Sequence, residues 1–172
     1  RDVSERNVNA ALLIKKDLLL QGIAEATKSL ISNSVEDEGF KTALRILGLA
    51  AEVDRVYIYK HQLDTETEEM FVSNIFEWNS EFSESQIDNP ALKKLSYSRF
   101  ASLKFYENFS AGKTLKFQIK NLPKLEQMLF IDNNIKSLIL VPIMIDDEYW
   151  GFIGFDDCQV DRIWSANEES LL

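Results

Sequence analysis

The sequence has almost none of the residues on which metal and thiol chemistry depend. Its 172 residues include a single cysteine, Cys158, and a single histidine, His61. One cysteine excludes an intramolecular disulfide and a cysteine-rich metal site, and it is consistent with a reducing compartment, so we expect a cytoplasmic protein. His61 lies near a polar turn with no second ligand at a metal-binding spacing, so we predict no metal site.

Glycine and proline are also scarce, with six and three residues. The sequence has no glycine-rich phosphate loop, no G-x-S-x-G and no H-E-x-x-H, and we therefore predict no catalysis by this chain. It also has no apolar run of the ~20 residues that a membrane span needs and no signal-peptide pattern, so no membrane contact is expected of this segment. Because both ends resemble interrupted sequence, we expect a piece of a longer protein.

Acidic residues outnumber basic residues. Nineteen basic and 28 acidic residues give a formal net charge of −9, which argues against a nucleic-acid surface and against binding to anionic membranes. Hydrophobic residues make up 45% of the chain, which is typical of a folded domain. The length suits one domain, and we predict a single unit over residues 1–172.

The N-terminal segment, residues 1–33, is predicted to be mostly one long helix. Residues 8–31 place Leu12, Leu19 and Ile23 on one apolar stripe. A second stripe of Ala11, Ile14 and Leu18 lies on the otherwise polar side. A monomer needs only one such stripe, so the second predicts either contact with the same helix of a second subunit or contact with a local loop.

The rest of the chain alternates strands and helices. Ser34 is predicted to cap a second helix that continues to Ala51. Strands are predicted at residues 55–62, 70–78, 114–120, 137–145 and 148–157, and further helices at residues 100–109 and 123–130 and from Ser165 through residue 172. Residues 79–98 form a long irregular excursion, which is uncommon in a compact domain unless it has a function. This order predicts an α+β fold around an antiparallel sheet.

Three short motifs near the C-terminus resemble one family. They are S-L-I-L-V-P-I at residues 137–143, W-G-F-I-G-F at 150–155 and R-x-W-x-x-x-E at 162–168, with F-x-x-x-F-x-x-G upstream at 105–112. Together they resemble GAF domains over about residues 18–172. The resemblance implies a PAS-related antiparallel sheet of five or six strands, with the terminal helices on one face and a pocket formed by the excursion on the other.

The resemblance also implies a function. GAF domains are sensory and regulatory modules of multidomain signalling proteins such as bacterial sensor histidine kinases of two-component systems or diguanylate cyclases. We therefore expect a non-catalytic domain that senses a small molecule, forms a homodimer through its terminal helices and regulates an attached output module. The alternative is a ligand-free module for constitutive dimerisation, whose pocket is filled by Trp78, Phe105 and Phe109.

Cys158 disfavours two other functions known for GAF domains, the first because of its position and the second because it is the only cysteine. Bilin-binding GAF domains attach the chromophore to a cysteine in the excursion, whereas Cys158 follows the last strand. Thiol reductases of this fold need resolving cysteines that this chain lacks. Cyclic-nucleotide-binding members begin their pattern with Asn followed by Lys or Arg, which is absent here. The cofactor is therefore unknown, and none is expected to be covalently bound.

The candidate ligand-binding residues cluster in the sequence around the excursion. Apolar walls with a few polar groups are typical of small-ligand sites, and Arg99 has the chemistry to bind a carboxylate or phosphate. The other interpretation is that the aromatic residues only fill a second core. The predicted ligand-binding residues are Asn74, Trp78, Arg99, Phe105, Tyr106, Phe109 and Ser137.

Overall fold

Six α-helices and six strands form the part of the chain that the structure, a computed structural model, describes: residues 2–31, 37–131 and 133–172. The helices are α1 (Asp2–Ile31), α2 (Asp37–Ala51), α3 (Pro90–Lys93), α4 (Phe105–Ser110), α5 (Lys124–Ile131) and α6 (Ala166–Leu171). The strands are β1 (Arg55–Leu63), β2 (Met70–Asn79), β3 (Leu95–Ser96), β4 (Leu115–Gln118), β5 (Ser137–Ile145) and β6 (Glu148–Asp157). Two 3-10 helices occupy Tyr97–Leu103 and Ile119–Asn121.

All six strands belong to one antiparallel sheet in the order β3-β2-β1-β6-β5-β4. The central pair, β1 and β6, aligns Val56 with Phe155 and Tyr57 with Gly154. Since side chains alternate between the faces of a strand, this register sends Val56 and Phe155 to one face and Tyr57 to the other. The predicted α+β class and antiparallel sheet are confirmed.

The last two strands begin and end where the sequence predicts, because single residues within them and in their turn constrain the backbone. Pro142 lies beyond Leu140, the last β5 residue that pairs with β4, so its missing N–H faces an open edge of the sheet. The turn to β6 holds Asp146 and Asp147 at φ 51° and 63°, positions that Asp tolerates in tight turns. In β6, a side chain at Gly151 would place Cβ 2.2 Å from the Tyr59 carbonyl oxygen, so only glycine fits there.

One face of the sheet is covered by the N-terminal helices. Phe40 and Leu44 of α2 pack with Val56, Ile139 and Phe155, and Leu19 of α1 joins the same core. Trp164, after β6, closes this core at the C-terminal end. Both terminal helices therefore lie on the same face, as the resemblance implied.

Arg162 fastens the C-terminal segment to α2. Its guanidinium donates hydrogen bonds to the carbonyls of Ala51 and Glu52, at 2.8 and 2.7 Å, and lies 3.3 Å from the carboxylate of Asp157. It also stacks on Trp164, 4.6 Å from the ring centre. These contacts satisfy carbonyls at the end of α2 and fix where α6 begins.

Some predicted elements differ from the structure. The predicted helix at residues 100–109 is divided at Lys104, whose φ of 50° ends the 3-10 helix and starts α4. The predicted strand at 114–120 is shorter, because Ile119–Asn121 turns into a 3-10 helix. The sequence gives no sign of β3, which pairs only two residues with β2. The predicted cap at Ser34 lies outside the described residues.

Candidate ligand site

A cavity of about 80 Å³ lies inside the sheet face opposite α1 and α2. Strands β1, β2, β5 and β6 form its floor, and the excursion and the following helices cover it. A void of this size has room for roughly two or three water molecules, each of which takes about 30 Å³ in the liquid. Its lining is made by Arg55, Tyr57, Tyr59, Val72, Asn74, Glu77, Gln86, Leu92, Leu95, Tyr97, Phe100, Phe105, Phe130, Asn133, Ile135, Leu140, Phe152 and Asp156.

Aromatic rings form the apolar wall of the cavity. Phe100 and Phe105 stack with ring centres 4.7 Å apart, and Tyr59 stacks on Phe152 at 5.1 Å. Phe109 lies behind them, 5.5 Å from Phe105 and 4.9 Å from Phe152. Interlocked rings of this kind hold the wall in one arrangement.

The opposite end of the cavity is polar and deeply buried. Arg55 Nη1 lies 3.4 Å from Asp156 Oδ2, and the two side chains are only 4% and 1% exposed. The Tyr57 hydroxyl donates to Asp156 Oδ1 at 2.8 Å. Buried charges are stable only when paired and hydrogen-bonded, and here the pair comes from the neighbouring strands β1 and β6.

A second polar group extends this end across β2. Asn74 Nδ2 donates to Glu77 Oε2 at 3.0 Å, and the other Glu77 oxygen accepts from the backbone N–H of Gln86 at 2.7 Å. Glu77 thus ties the excursion to the sheet. Two cavity-lining residues nevertheless keep a buried atom without a partner among the described residues: Arg55 Nε, a donor, and Asn74 Oδ1, an acceptor.

Burial also changes the acidity of this end. Loss of solvation raises the pKa of Asp156 to about 7, although Arg55 and the Tyr57 hydroxyl act to lower it. The negative charges of Glu77 and Asp54 add to the rise. Burial likewise raises the pKa of Tyr57 well above its ordinary value, with Asp156 as a further cause. The Tyr57 hydroxyl therefore stays a proton donor.

An open cleft leads from the polar end to the surface. It shares Arg55, Gln86 and Asn133 with the cavity and continues along Glu81, Phe82, Ser83, Glu84 and Asn134. Arg55 therefore lies between the buried space and solvent. A molecule that enters from the cleft meets the polar end first and the aromatic wall last.

The structure brings only some of the predicted site residues to this cavity. Asn74 and Phe105 line it, and Phe109 is buried in the same aromatic core without lining it. Tyr106 lies farther out, in a ring cluster with His61, Tyr97 and Tyr149. Whether any of these residues binds a ligand stays a prediction.

Trp78 does not face the cavity, and the prediction that it forms a cavity wall is corrected. In β2, Phe76 pairs with Ile58 and Asn74 with Tyr59, so Ile75 is an extra, unpaired residue in a β-bulge. The bulge shifts the side-chain alternation by one position. Asn74 and Glu77 consequently face the cavity, while Trp78 packs on the other face against Gly48 of α2, where an added Cβ would lie 2.1 Å from the ring.

Arg99 and Ser137 also lie away from the cavity. Arg99 is exposed on the 3-10 helix, in a surface groove beside Leu125 and Met128. Ser137 is fully buried at the start of β5, where its hydroxyl accepts from the backbone N–H of Arg162 at 3.1 Å and donates to the Val160 carbonyl at 3.3 Å. Its observed contacts anchor the loop after β6.

Sequence reasoning missed the charged groups of the site. Arg55, Tyr57 and Tyr59 share one face of β1 between the apolar Val56 and Ile58. This alternation in a central strand was the available signal, because a charged residue in such a strand must find a partner. The partner, Asp156, lies 101 residues away and could not be identified from the pattern of β1 alone.

Cys158 has the properties of a structural thiol. It is buried, its backbone N–H donates to Asp54 Oδ2 at 2.8 Å, and burial raises the pKa of its thiol to about 12. The reactive thiolate is therefore strongly disfavoured. Within residues 2–31, 37–131 and 133–172, no cluster of three His, Cys, Asp or Glu side chains is placed to hold a metal, and no helix is long and apolar enough to cross a bilayer.

The fold and the cavity define a class of α+β domains in which a six-stranded antiparallel sheet separates terminal helices from a largely buried site. A family model described as GAF domain matches residues 36–172. The chain is 39% identical over all of its 172 residues to the methanogenesis regulatory histidine kinase FilI of Methanothrix harundinacea (strain 6Ac). The chain belongs to the GAF domain family, and it is a regulatory domain of the kind found in signalling proteins.

This chain spans 19% of the length of that kinase, so the activity of the whole kinase does not transfer to it. Solved structures with the same fold include the phycoerythrobilin-bound GAF domain of a cyanobacterial phytochrome, at 16% identity and a TM-score of 0.69 over 91% of this chain and 87% of that one. The blue-light absorbing form of the PixJ GAF domain of Thermosynechococcus elongatus has 16% identity and a TM-score of 0.62, over 78% of this chain and 77% of that one. At this identity the similarity is one of fold.

Proposed function

We propose that this chain is a non-catalytic, small-molecule-sensing domain that forms a homodimer and regulates an attached output module. The observation that carries the proposal is the cavity itself, in which Arg55 Nε and Asn74 Oδ1 are buried without a partner among the described residues. An unpaired buried polar atom costs about 1–3 kcal/mol. A bound molecule that supplies the missing hydrogen bonds would remove this cost.

The sheet gives a physical route from the cavity to the terminal helices. In β1, Arg55 and Tyr57 line the cavity while Val56, between them, packs under α2. In β6, Asp156 lines the cavity while Phe155 packs on the helix face. A ligand that favours one position of these strands also favours one packing of α2 and Trp164, which is ordinary linkage between two states.

The attached output module is proposed to be a histidine kinase. This proposal is supported by the matching relative, which is a regulatory histidine kinase of greater length. α1 and α6 lie on the same face of the sheet. In a longer protein, both helices could continue from this face into the kinase. The shared contact of Leu19 with the core around Trp164 couples the two helices.

The test of ligand sensing is a thermal-shift screen of the chain against small carboxylates, amines, amino acids, nucleosides and bilins. A ligand at a hundred times its dissociation constant should raise the free energy of unfolding by about 2.7 kcal/mol. Phe105→Leu should weaken the effect, because Phe105 lines the cavity, whereas the exposed Phe82→Leu, in the outer cleft, serves as the control. If no compound of any class stabilises the chain, the sensing proposal fails and the ligand-free dimerisation module is the interpretation that remains to be tested.

Dimerisation is proposed to use the exposed apolar side of α1. Ile14 and Leu18, of the second predicted stripe, are exposed, and together with Leu49 of α2 they line a shallow apolar groove. No described loop of the chain covers them. Two such helices, one from each subunit, would bury these side chains against each other.

The double variant Ile14→Glu and Leu18→Glu is expected to convert a dimer to a monomer, because it places charges in the proposed contact. Sedimentation velocity over a tenfold or greater range of concentration measures the change. The control is Asp17→Glu with Lys16→Arg, which alters exposed neighbours on the same helix without changing charge. A monomeric wild-type chain, or a dimer that survives the double variant, would contradict this interface.

A further inference from the structure

We infer that the ligand of the cavity is a small aliphatic α-amino acid, held by Arg55 through its carboxylate and by Asn74 through its ammonium group. This inference rests on the proposed sensing function and specifies its ligand. Three features of the cavity support it: the two unpaired atoms, the balance of charge and the apolar wall.

The unpaired atoms have opposite hydrogen-bonding roles. Arg55 Nε is a donor and requires an acceptor on the ligand, whereas Asn74 Oδ1 is an acceptor and requires a donor. Arg55 is 3% and Asn74 8% exposed, so water from bulk solvent does not satisfy either atom freely. A carboxylate suits the guanidinium and an ammonium suits the amide oxygen, and an α-amino acid carries both groups on one carbon.

The charge of the lining favours a molecule with a positive group. One guanidinium, Arg55, faces two carboxyl groups, Asp156 and Glu77. The Asn74 side chain already binds Glu77 Oε2, so an ammonium at Asn74 Oδ1 also lies close to that carboxylate. A phosphate or dicarboxylate would add two or more negative charges to a lining that has no surplus of positive charge.

The apolar wall limits the rest of the molecule. The buried space of about 80 Å³ opens into the outer cleft past Arg55, Gln86 and Asn133, so the aliphatic side chain of the ligand would fill the buried part while its charged groups lie at the polar end next to the cleft. Beyond the polar end, the lining is apolar, with Val72, Leu140 and Phe152 near the rings of Phe100 and Phe105. Burying an aliphatic side chain there favours leucine over glycine by roughly tenfold to a hundredfold in affinity.

The experiment compares L-leucine with two molecules that each lack one of its charged groups. Isothermal titration of the chain is carried out with L-leucine, with 4-methylpentanoate, which lacks the amine, and with 3-methylbutylamine, which lacks the carboxylate. L-leucine is expected to bind at least about tenfold more tightly than either, since each loses a charge-assisted hydrogen bond. Equal affinity for leucine and for either truncated molecule would overturn the inference.

Variants locate the two contacts. Asn74→Ala and Arg55→Lys should each weaken leucine binding about tenfold or more, whereas Asn121→Ala, at an exposed amide on the 3-10 helix after β4, should leave it unchanged. Circular dichroism of each variant checks that it is folded. If Arg55→Lys does not fold, Asn74→Ala alone still tests the inference. Unchanged leucine affinity in a folded Asn74→Ala variant would overturn the inference.

The outcomes distinguish this inference from the proposed function. If leucine and valine do not bind but another compound of the screen does, and Phe105→Leu weakens that compound, sensing stands and the amino-acid ligand is wrong. If no compound of any class binds, both fail.

Discussion

Replacing Phe109 by alanine is expected to lower the free energy of unfolding by about 3–5 kcal/mol, the range for deleting a fully buried aromatic ring. Phe109 is 0% exposed. Its ring lies 5.5 Å from that of Phe105, 5.7 Å from that of Tyr149 and 4.9 Å from that of Phe152. Because interlocked rings cannot collapse into the space left by one of them, most of the loss is not recovered by relaxation.

Urea unfolding followed by circular dichroism measures this loss as a lower midpoint at unchanged slope. Phe82→Ala is the matched control, because Phe82 is 56% exposed, and its expected effect is within about 0.5 kcal/mol. A loss below about 1 kcal/mol at Phe109 would show that the aromatic core is loosely packed. It would then be a poor wall for a specific ligand.

Phe109 also shows how far the sequence could predict the candidate site. The spacing of Phe105, Phe109 and Gly112 predicts an aromatic helix that ends at a glycine, and the structure confirms α4 with Gly112 at φ 69°. Helical spacing places Phe105 and Phe109 on one face, but it does not reveal which ring meets the cavity and which lies behind it. That distinction depends on Phe152, from a strand more than forty positions away.

The prediction for Trp78 is wrong because it also depends on a partner strand that the local sequence does not reveal. Alternation from Asn74 puts Phe76 and Trp78 on the cavity face, and only the bulge at Ile75 reverses them. The bulge is visible in the pairing of β2 with β1 and not in the residues of β2. In contrast, Pro142, Asp146 and Gly151 act through their own backbone, so the hairpin β5–β6 could be predicted with its bounds.

Asp156→Asn is expected to remove a marked pH dependence of stability. In the folded chain burial raises the pKa of Asp156 to about 7, whereas in the unfolded chain it is about 3.9. Between these values the folded state holds a proton that the unfolded state has released. The contribution of Asp156 to stability is therefore complete below about pH 4 and is lost as the pH rises through 7.

The measurement is the difference in free energy of unfolding between wild type and Asp156→Asn at several pH values from 5 to 7. Wild type should lose stability relative to the variant by close to ~1.4 kcal/mol per pH unit near pH 5, and by about half that per unit at pH 7, where Asp156 is half ionised. His61, whose pKa is lowered by burial, is present in both proteins, so its titration cancels in the difference. Asp147→Asn, in the exposed turn before β6, is the control.

The charged and titratable groups that act on Asp156 fix how this result is interpreted. Arg55 and the Tyr57 hydroxyl favour its ionised form, while burial, Glu77 and Asp54 oppose it. The expected slope follows only if burial outweighs the pair with Arg55, whose 3.4 Å separation is long for a charge-assisted hydrogen bond. A difference that stays constant within about 0.3 kcal/mol from pH 5 to 7 would mean that Asp156 remains ionised there. Arg55 would then be held by Asp156 at every pH tested, and less of its charge would be free for a ligand carboxylate.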